Sequence, residues 1–349
     1  MVNIDRYVNI NKLNFVVELC SAIIKEMADH GHVHLYTKEA VSLNRCGLYQ
    51  VLDQLCDYWK WNSNQFTIST TNAHETNDKY CIKHIEYLYE GLTQDHFSGY
   101  YNRMIHQIVN INPLPWDGSY DYGLFVGRAN ATRLRAIELH HKFEYRDRGL
   151  TSFLSDVNNY IDPQSLLTYL CDSDARWSEI SSIKPYSDIG DLLPVPVMPP
   201  AHVLGWEKIY QQIPIEIVCE TSETEDSSML TEKIFRPVLY KRPFLLISGR
   251  NSLKTITQFP PYFGKQFNFK NFNHVISTAY DQDEGIPRVD HVFDILHELI
   301  RSGRINTILE KCHDDIEHNY QELIRWFSYS ETYIKYNQGP ISTELDIKK

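Results

Sequence analysis

No apolar run in this chain is long enough to cross a bilayer. The nearest candidate, Phe15 to Met27, is interrupted by Glu18, Lys25 and Glu26 and falls short of a span. The opening stretch, Met1 to Asn11, is polar and lacks the basic start and apolar core of a secretory signal. Together these absences predict a cytoplasmic protein with no membrane span. The glycosylation sequon Asn130-Ala131-Thr132 carries no weight without secretion. An excess of positive charge is missing as well. Thirty-four Lys and Arg against 45 Asp and Glu leave a net charge of −11, so nothing pulls the chain as a whole toward nucleic acid or an anionic membrane. Any grip on phosphate has to be local. The seven cysteines, Cys20, Cys46, Cys56, Cys81, Cys171, Cys219 and Cys312, are scattered, odd in number and mostly within apolar runs. They read as buried reduced thiols rather than a disulfide framework or a zinc site. Internal repeats and low-complexity tracts are absent too.

What is present is a folded, mixed chain. At 349 residues it exceeds the usual single-domain size, so two domains around two cores are expected. Its 42% hydrophobic content, with 23 Tyr and 15 Phe, fits a globular protein rather than a disordered one. Residues Lys12 to His30 have helical spacing and Gly31 supplies a stop. His32 to Tyr36 alternates as a strand, Gly47 to Lys60 is amphipathic through Leu48, Val51, Leu52 and Leu55, and Phe66 to Thr70 reads as another strand. That β-α-β order predicts a Rossmann-like unit over residues 1–115, although Cys81 to Asn110 is too irregular to assign. The prolines and Gly of Asn112-Pro113-Leu114-Pro115-Trp116-Asp117-Gly118 mark a linker, and Leu193 to Pro200 a loop. Val292, Ile295, Leu296, Leu299 and Ile300 outline a helix, and Ile316 to Phe327 another. A second Rossmann-like domain is expected over 116–305, closing helices over 306–336 and a flexible tail over 337–349.

The most informative stretch runs from Cys219-Glu220-Thr221-Ser222 through Thr231-Glu232-Lys233-Ile234-Phe235-Arg236-Pro237 to Lys241-Arg242-Pro243-Phe244-Leu245-Leu246-Ile247-Ser248-Gly249. The apolar run Ile215 to Cys219 ends at Glu220, a helix opens with charged residues, and a second apolar run closes on Gly249, which is a βαβ pattern. Ligands of open α/β sheets sit beyond the carboxyl ends of the strands. Glu220 and a helix start carrying Lys233 lie on that edge, where an anion is favoured. A phosphorylated ligand is expected.

This pattern resembles the nucleotide-sugar-binding half of GT-B glycosyltransferases, specifically the fucosyltransferase-like group. Upstream, Tyr122-Gly123-Leu124-Phe125-Val126-Gly127-Arg128 followed by Asn130, Arg133 and Leu134 looks like the strand-Gly-Arg-helix opening of the same domain. Tyr280-Asp281 and Gly285 through Arg288 resemble the acidic segment and Arg-led helix that follow. The resemblance covers about Gly123 to Arg288. It implies two Rossmann-like domains facing a cleft, the donor bound by the C-terminal one and the acceptor by the N-terminal one. It also implies a last helix crossing back to the first domain.

Transfer from a nucleotide diphosphate needs charge neutralisation on the departing diphosphate, a hold on the nucleoside and a base for the acceptor hydroxyl. Lys233 and Arg128 supply positive charge, with Gly127, Thr231 and Arg133 around them, and no metal or cofactor is expected. The resemblance implies that Glu232 holds the ribose diol and that Glu220 supports the sugar or orders the loop. For the base, Glu39 follows the His32–Tyr36 strand on the appropriate edge, with Glu75 the runner-up and Asn72 and His74 as acceptor contacts. Plainer readings stand beside these. Glu232 and Arg236, four apart, suit a solvated helix pair, Arg128 and Arg133 suit surface charges, and Glu39 and Glu75 suit solvated loop carboxylates. Asp172-Ser173-Asp174 and Asp281-Gln282-Asp283 match the metal-holding Asp-x-Asp pattern, about one match of which is expected by chance in so acidic a chain. His32 and His34 share a strand face but lack a nearby Cys or Asp ligand set. The expected function is transfer of a sugar to a hydroxyl acceptor, with inversion and without metal. The departure from the family's Phe-Glu-Asn at Cys219-Glu220-Thr221 leaves donor sugar and stereochemistry open. The alternatives are a glycosyltransferase acting on hydroxymethylated DNA bases, which the acidic charge argues against, and a non-catalytic nucleotide-binding scaffold.

Overall fold

The structure, a computed structural model, describes residues 1–9, 12–37, 42–44, 46–70, 75–84, 110–127, 129–154, 169–171, 183–189, 205–220, 232–257 and 266–337. The chain divides into two compact units, one holding described residues 1–84 and the other described residues 110–337. Both are mixed α/β with sheets that are mostly parallel. Among the described residues no helix is long and apolar enough to cross a membrane.

In the first unit, strands β1 (Val2–Asn3), β4 (Val33–Thr37), β5 (Phe66–Thr70) and β6 (Cys81–His84) pair in chain order, all parallel. The short strands β2 (Val8–Asn9) and β3 (Lys12–Leu13) pair antiparallel beside them. That pairing is why helix α1 (Val16–His30) starts four residues later than its spacing suggests. Its apolar stripe, Leu19, Ile23 and Met27, is buried, and Gly31 ends it at φ 66, donating its N–H to the Met27 carbonyl. Helix α2 (Leu48–Trp59) buries Leu48, Leu52 and Leu55 into the same core as Val33, Leu35, Phe66 and Ile68. Right-handed crossovers that advance in one direction lay both helices on one face. This is the strand order of half a doubly wound sheet, and no strand-order reversal occurs among the described residues of this unit. Strand β6 falls in the stretch whose sequence resisted assignment.

The second unit has the reversal. Strand β7 (Tyr122–Val126) lies in the middle. Strand β8 (Gly149–Phe153) pairs parallel on one side of it, followed by the antiparallel edge strand β9 (Tyr186–Ser187). Strands β10 (Glu216–Cys219) and β11 (Phe244–Ile247) continue parallel on the other side. Helix α3 (Ala131–Lys142) links β7 to β8, α4 (Glu207–Gln212) precedes β10, and α5 (Glu232–Leu239) links β10 to β11. Because β8 and β11 are reached in opposite directions, right-handed crossovers place α3 and α5 on opposite faces. Helix α6 (Gly285–Arg301) packs on α3 and β11, and α7 (His313–Asn337) packs on α5 and on the short helix Lys270–Val275. The result is a three-layer α/β unit.

All seven cysteines are free thiols; Cys46, Cys56, Cys219 and Cys312 are buried as expected, Cys20 is half-buried, and Cys81 and Cys171 are exposed instead.

Candidate functional site

The strand order of the second unit reverses between β7 and β10, and in such sheets the crevice for a ligand opens beyond the carboxyl ends of the two strands that flank the reversal. Here those ends are Val126-Gly127 and Cys219-Glu220, the two places where the sequence carries its Gly-Arg and Glu-…-Thr-Glu-Lys patterns. Tertiary structure joins them. From α3, Arg133 reaches across so that its Nη2 donates to the Cys219 carbonyl at 3.0 Å, tying the ends of β7 and β10 together. The guanidinium is buried in doing so, which makes Arg133 a brace of the edge rather than a surface charge. Asn130 starts α3 by accepting the Arg133 N–H at 2.9 Å, a side-chain cap on an otherwise orphaned donor. A Cβ built on Gly127 meets no atom of the described residues within 4 Å, and its φ lies outside the left-handed region. Neither packing nor backbone conformation demands glycine there, and the backbone is left open to close approach. At Gly123, by contrast, a Cβ would come 2.5 Å from Ile213 Cδ1, so that glycine serves packing.

Glu220 is 1% exposed, and its N–H donates to the Ile247 carbonyl at 2.9 Å, extending the β10–β11 ladder by one residue. Its carboxylate lies 4.0 Å from Lys233 Nζ on α5. Lys233 keeps about a quarter of its side chain exposed, so the ammonium borders both a buried carboxylate and solvent. What aims it is the next turn of the helix. Arg236 is buried, pairs with Glu216 of β10, donates from Nε to the Tyr210 hydroxyl at 3.0 Å and lies 4.0 Å over the Trp206 ring. Burial works against the cation, but the Glu216 carboxylate outweighs it and holds the guanidinium above its usual range. This corrects the reading of Arg236 as half of a solvated pair with Glu232. With Ile234 and Phe235 also in the core, α5 has one orientation, and it turns Lys233 to the carboxyl edge.

The third strand end adds a residue that sequence reasoning missed. Ser248, just past β11, has a buried hydroxyl with no hydrogen-bond partner among the described residues. Its only sequence signal is a polar residue directly after the apolar run Phe244–Ile247. Below it, Arg288 is fully buried and donates to the Leu246 carbonyl at 2.8 Å, to the Gly249 carbonyl at 3.1 Å and to Asp281 at 2.9 Å. Asp281 also accepts the N–H groups of Leu253 and Lys254, and Asp283 pairs with His291 at 2.8 Å. The acidic segment and the Arg-led helix are therefore a clamp on the end of β11.

Glu39, Arg128, Thr231, Asn72, His74, Asp172 and Asp174 lie outside the described residues, as does the side chain of Glu232, whose backbone begins α5. Glu75, the runner-up for the base, is not a solvated loop carboxylate. It is buried and accepts the Leu43 N–H at 2.9 Å and the Tyr49 hydroxyl at 2.8 Å, fastening the turn before α2 to the core. His32 and His34 do share a strand face, each 3.1 Å or less from a hydroxyl on β5, Thr67 and Ser69 respectively. Comparison of the chain with models of protein families, with characterised proteins and with solved structures finds no match.

Proposed function

We propose that this chain is a GT-B glycosyltransferase of the fucosyltransferase-like kind, moving a sugar from a nucleotide-diphosphate donor to a hydroxyl acceptor without a metal and with inversion. The observation that carries this reading is the meeting of both motifs at the strand-order reversal of the second unit, where Lys233 borders the buried Glu220 carboxylate. An anion is the ligand that such an edge favours, since an ammonium and the start of α5 both present positive charge there. In the proposed reaction the acceptor oxygen bonds to the anomeric carbon as the bond from that carbon to the diphosphate breaks. The bonding pair leaves with the diphosphate and the acceptor proton passes to a carboxylate, for which Glu39 remains the candidate. Lys233 and Arg128 stabilise the departing charge, Glu232 holds the ribose diol, and Glu220 holds Lys233 in place. Ser248 is positioned to donate a hydrogen bond at the same edge.

Thermal shift against a panel of nucleoside diphosphates and their sugars tests the reading. A ligand at 100 times its Kd stabilises by about 2.7 kcal/mol, so selective stabilisation by one nucleoside diphosphate is expected. Lys233→Ala should weaken that shift and lower turnover by roughly a hundredfold. Absence of stabilisation by every member of the panel, or a Lys233→Ala variant with unchanged binding and turnover, overturns it. Binding without transfer would instead mark a nucleotide-binding scaffold, and salt-dependent retention on duplex DNA would favour a DNA-base acceptor.

A further inference from the structure

Two buried serines follow β11, Ser248 and Ser252, and they differ in what their hydroxyls find. Ser252 donates to the Gly249 carbonyl. The Ser248 hydroxyl, in a residue 2% exposed, has no hydrogen-bond partner among the described residues. The carbonyls around it are engaged by other donors: Arg288 donates to those of Leu246 and Gly249, and the Glu220 N–H donates to that of Ile247. A hydroxyl shut away from water and left unpaired destabilises the fold that holds it. Such a group calls for a role other than stability.

Strand register gives its surroundings. Glu216 pairs with Phe244 and Cys219 with Ile247, so one residue further on Ser248 stands beside Glu220, about 4.8 Å away across the strands. Alternation along the pleat turns Glu216, Glu220 and Ser248 toward one face, and α5 covers that face, since its Arg236 pairs with Glu216 and its Lys233 borders Glu220. Because α5 leads from the end of β10 back to the start of β11, its first turn lies at the carboxyl edge as well. The unsatisfied hydroxyl therefore shares an edge and a face with Lys233 and the opening of α5. Glu220 is closed off from solvent and Lys233 is a quarter exposed, so a ligand reaches the serine past the Lys233 ammonium, which rides on a flexible stem.

We infer that Ser248 is a ligand-binding residue whose hydroxyl donates to a phosphate oxygen of the donor's diphosphate. This rests on the reading of that edge as the diphosphate site and adds to it a residue without charge. The groups assembled there select the ligand chemistry. Lys233 offers an ammonium, the first turn of α5 offers N–H groups that no carbonyl of the helix can take, and Ser248 offers its O–H, against one carboxylate, Glu220, 4.0 Å from the ammonium. Donors in that excess suit a group made of acceptors. A phosphate oxygen accepts several hydrogen bonds and donates none, whereas a sugar hydroxyl in the same place would bring one more donor. A hydroxyl fixed in advance and screened from water also binds an oxyanion without reorganisation.

Titration calorimetry of wild type and Ser248→Ala tests it, with inorganic pyrophosphate and with ADP, CDP, GDP and UDP as probes, beside melting curves of the ligand-free proteins. Ser248→Ala removes an unpaired group, so its melting temperature should equal or exceed that of wild type. Its affinity for pyrophosphate and for the preferred nucleoside diphosphate should fall by the same factor, roughly ten- to a hundredfold, the scale of one hydrogen bond to a charged acceptor. A purely structural hydroxyl does not combine kept stability with lost affinity. A lower melting temperature for Ser248→Ala, or wild-type affinity for every probe, overturns the inference. A loss confined to the nucleoside diphosphates overturns it too, moving the contact to the nucleoside. If wild type binds pyrophosphate through Ser248 yet binds no nucleoside diphosphate more tightly, the serine's role stands and the transferase reading falls. If one nucleoside diphosphate is preferred and both proteins bind it equally, the reverse holds. Failure of wild type to bind any probe overturns both.

Discussion

The imidazole of His140 sits at the end of α3, 7% exposed, with Nδ1 2.9 Å from the Tyr122 hydroxyl and Nε2 facing Thr151. Burial, helped by the charges of His141 and Arg146 and opposed by Asp188 and Asp147, pushes its pKa down to about 4. His141 beside it is lowered too, by burial and then by Arg146. An unfolded histidine titrates near 6.5, so between the two values the unfolded chain binds a proton that the folded one refuses. Stability contributed by neutral His140 is complete above about pH 6.5 and is lost as pH falls toward 4, on the order of 3 kcal/mol across the window. Melting temperature followed from pH 7 to pH 4 should therefore drop, and His140→Gln should flatten the slope. Parallel profiles for the two proteins would assign the loss to other groups. Arg146, Asp147 and Asp188 all flank this histidine, so the comparison belongs at moderate salt, where their screened contribution is small.

Among the elements, α5 depends on one buried ion pair for its orientation. Arg236 joins α5 to β10 through Glu216 and to α4 through Tyr210, with Trp206 beneath the guanidinium. Removing one charge leaves the other buried and unpaired, which costs more than removing both. Arg236→Ala is expected to lower unfolding stability by about 3–5 kcal/mol, and the double change Arg236→Met with Glu216→Gln by less. Urea denaturation of the three proteins decides the matter: a single variant that is no less stable than the double one would mean that water replaces the lost partner. The same contacts explain why Lys233 cannot be judged from α5 alone. The buried turn behind it sets where its ammonium points.

At the scale of the whole molecule, the proposed chemistry makes a statement about metal. Positive charge on the departing diphosphate comes from Lys233 and Arg128 in this reading, and the two aspartates of the Asp281–Asp283 segment are occupied by Arg288 and His291. Sugar transfer by the purified protein is therefore expected to persist in a chelator. Loss of turnover in EDTA that manganese or magnesium restores would overturn the charge-neutralisation scheme. It would direct attention to Asp172 and Asp174 instead.

Local rules were legible from residue order alone. Gly31 ends α1 because a left-handed stop follows an i, i+4 apolar stripe, and Phe66 to Thr70 is a strand because its residues alternate and favour a pleated surface. The carboxyl-edge placement of Glu220 and Lys233 also followed from the strand-helix-strand pattern, which is a local property. Other features depended on contacts between distant segments. Nothing within six residues of Arg236 distinguishes a solvated partner at Glu232 from a buried one at Glu216, and the sequence around Glu75 suits a loop carboxylate, whereas the Leu43 N–H and the Tyr49 hydroxyl that bury it come from a distant segment. The reversal between β7 and β10 is of the same kind. Arg133 and Cys219 meet across 86 residues of chain, and strand order is decided by which apolar faces pack together rather than by any pattern within one strand.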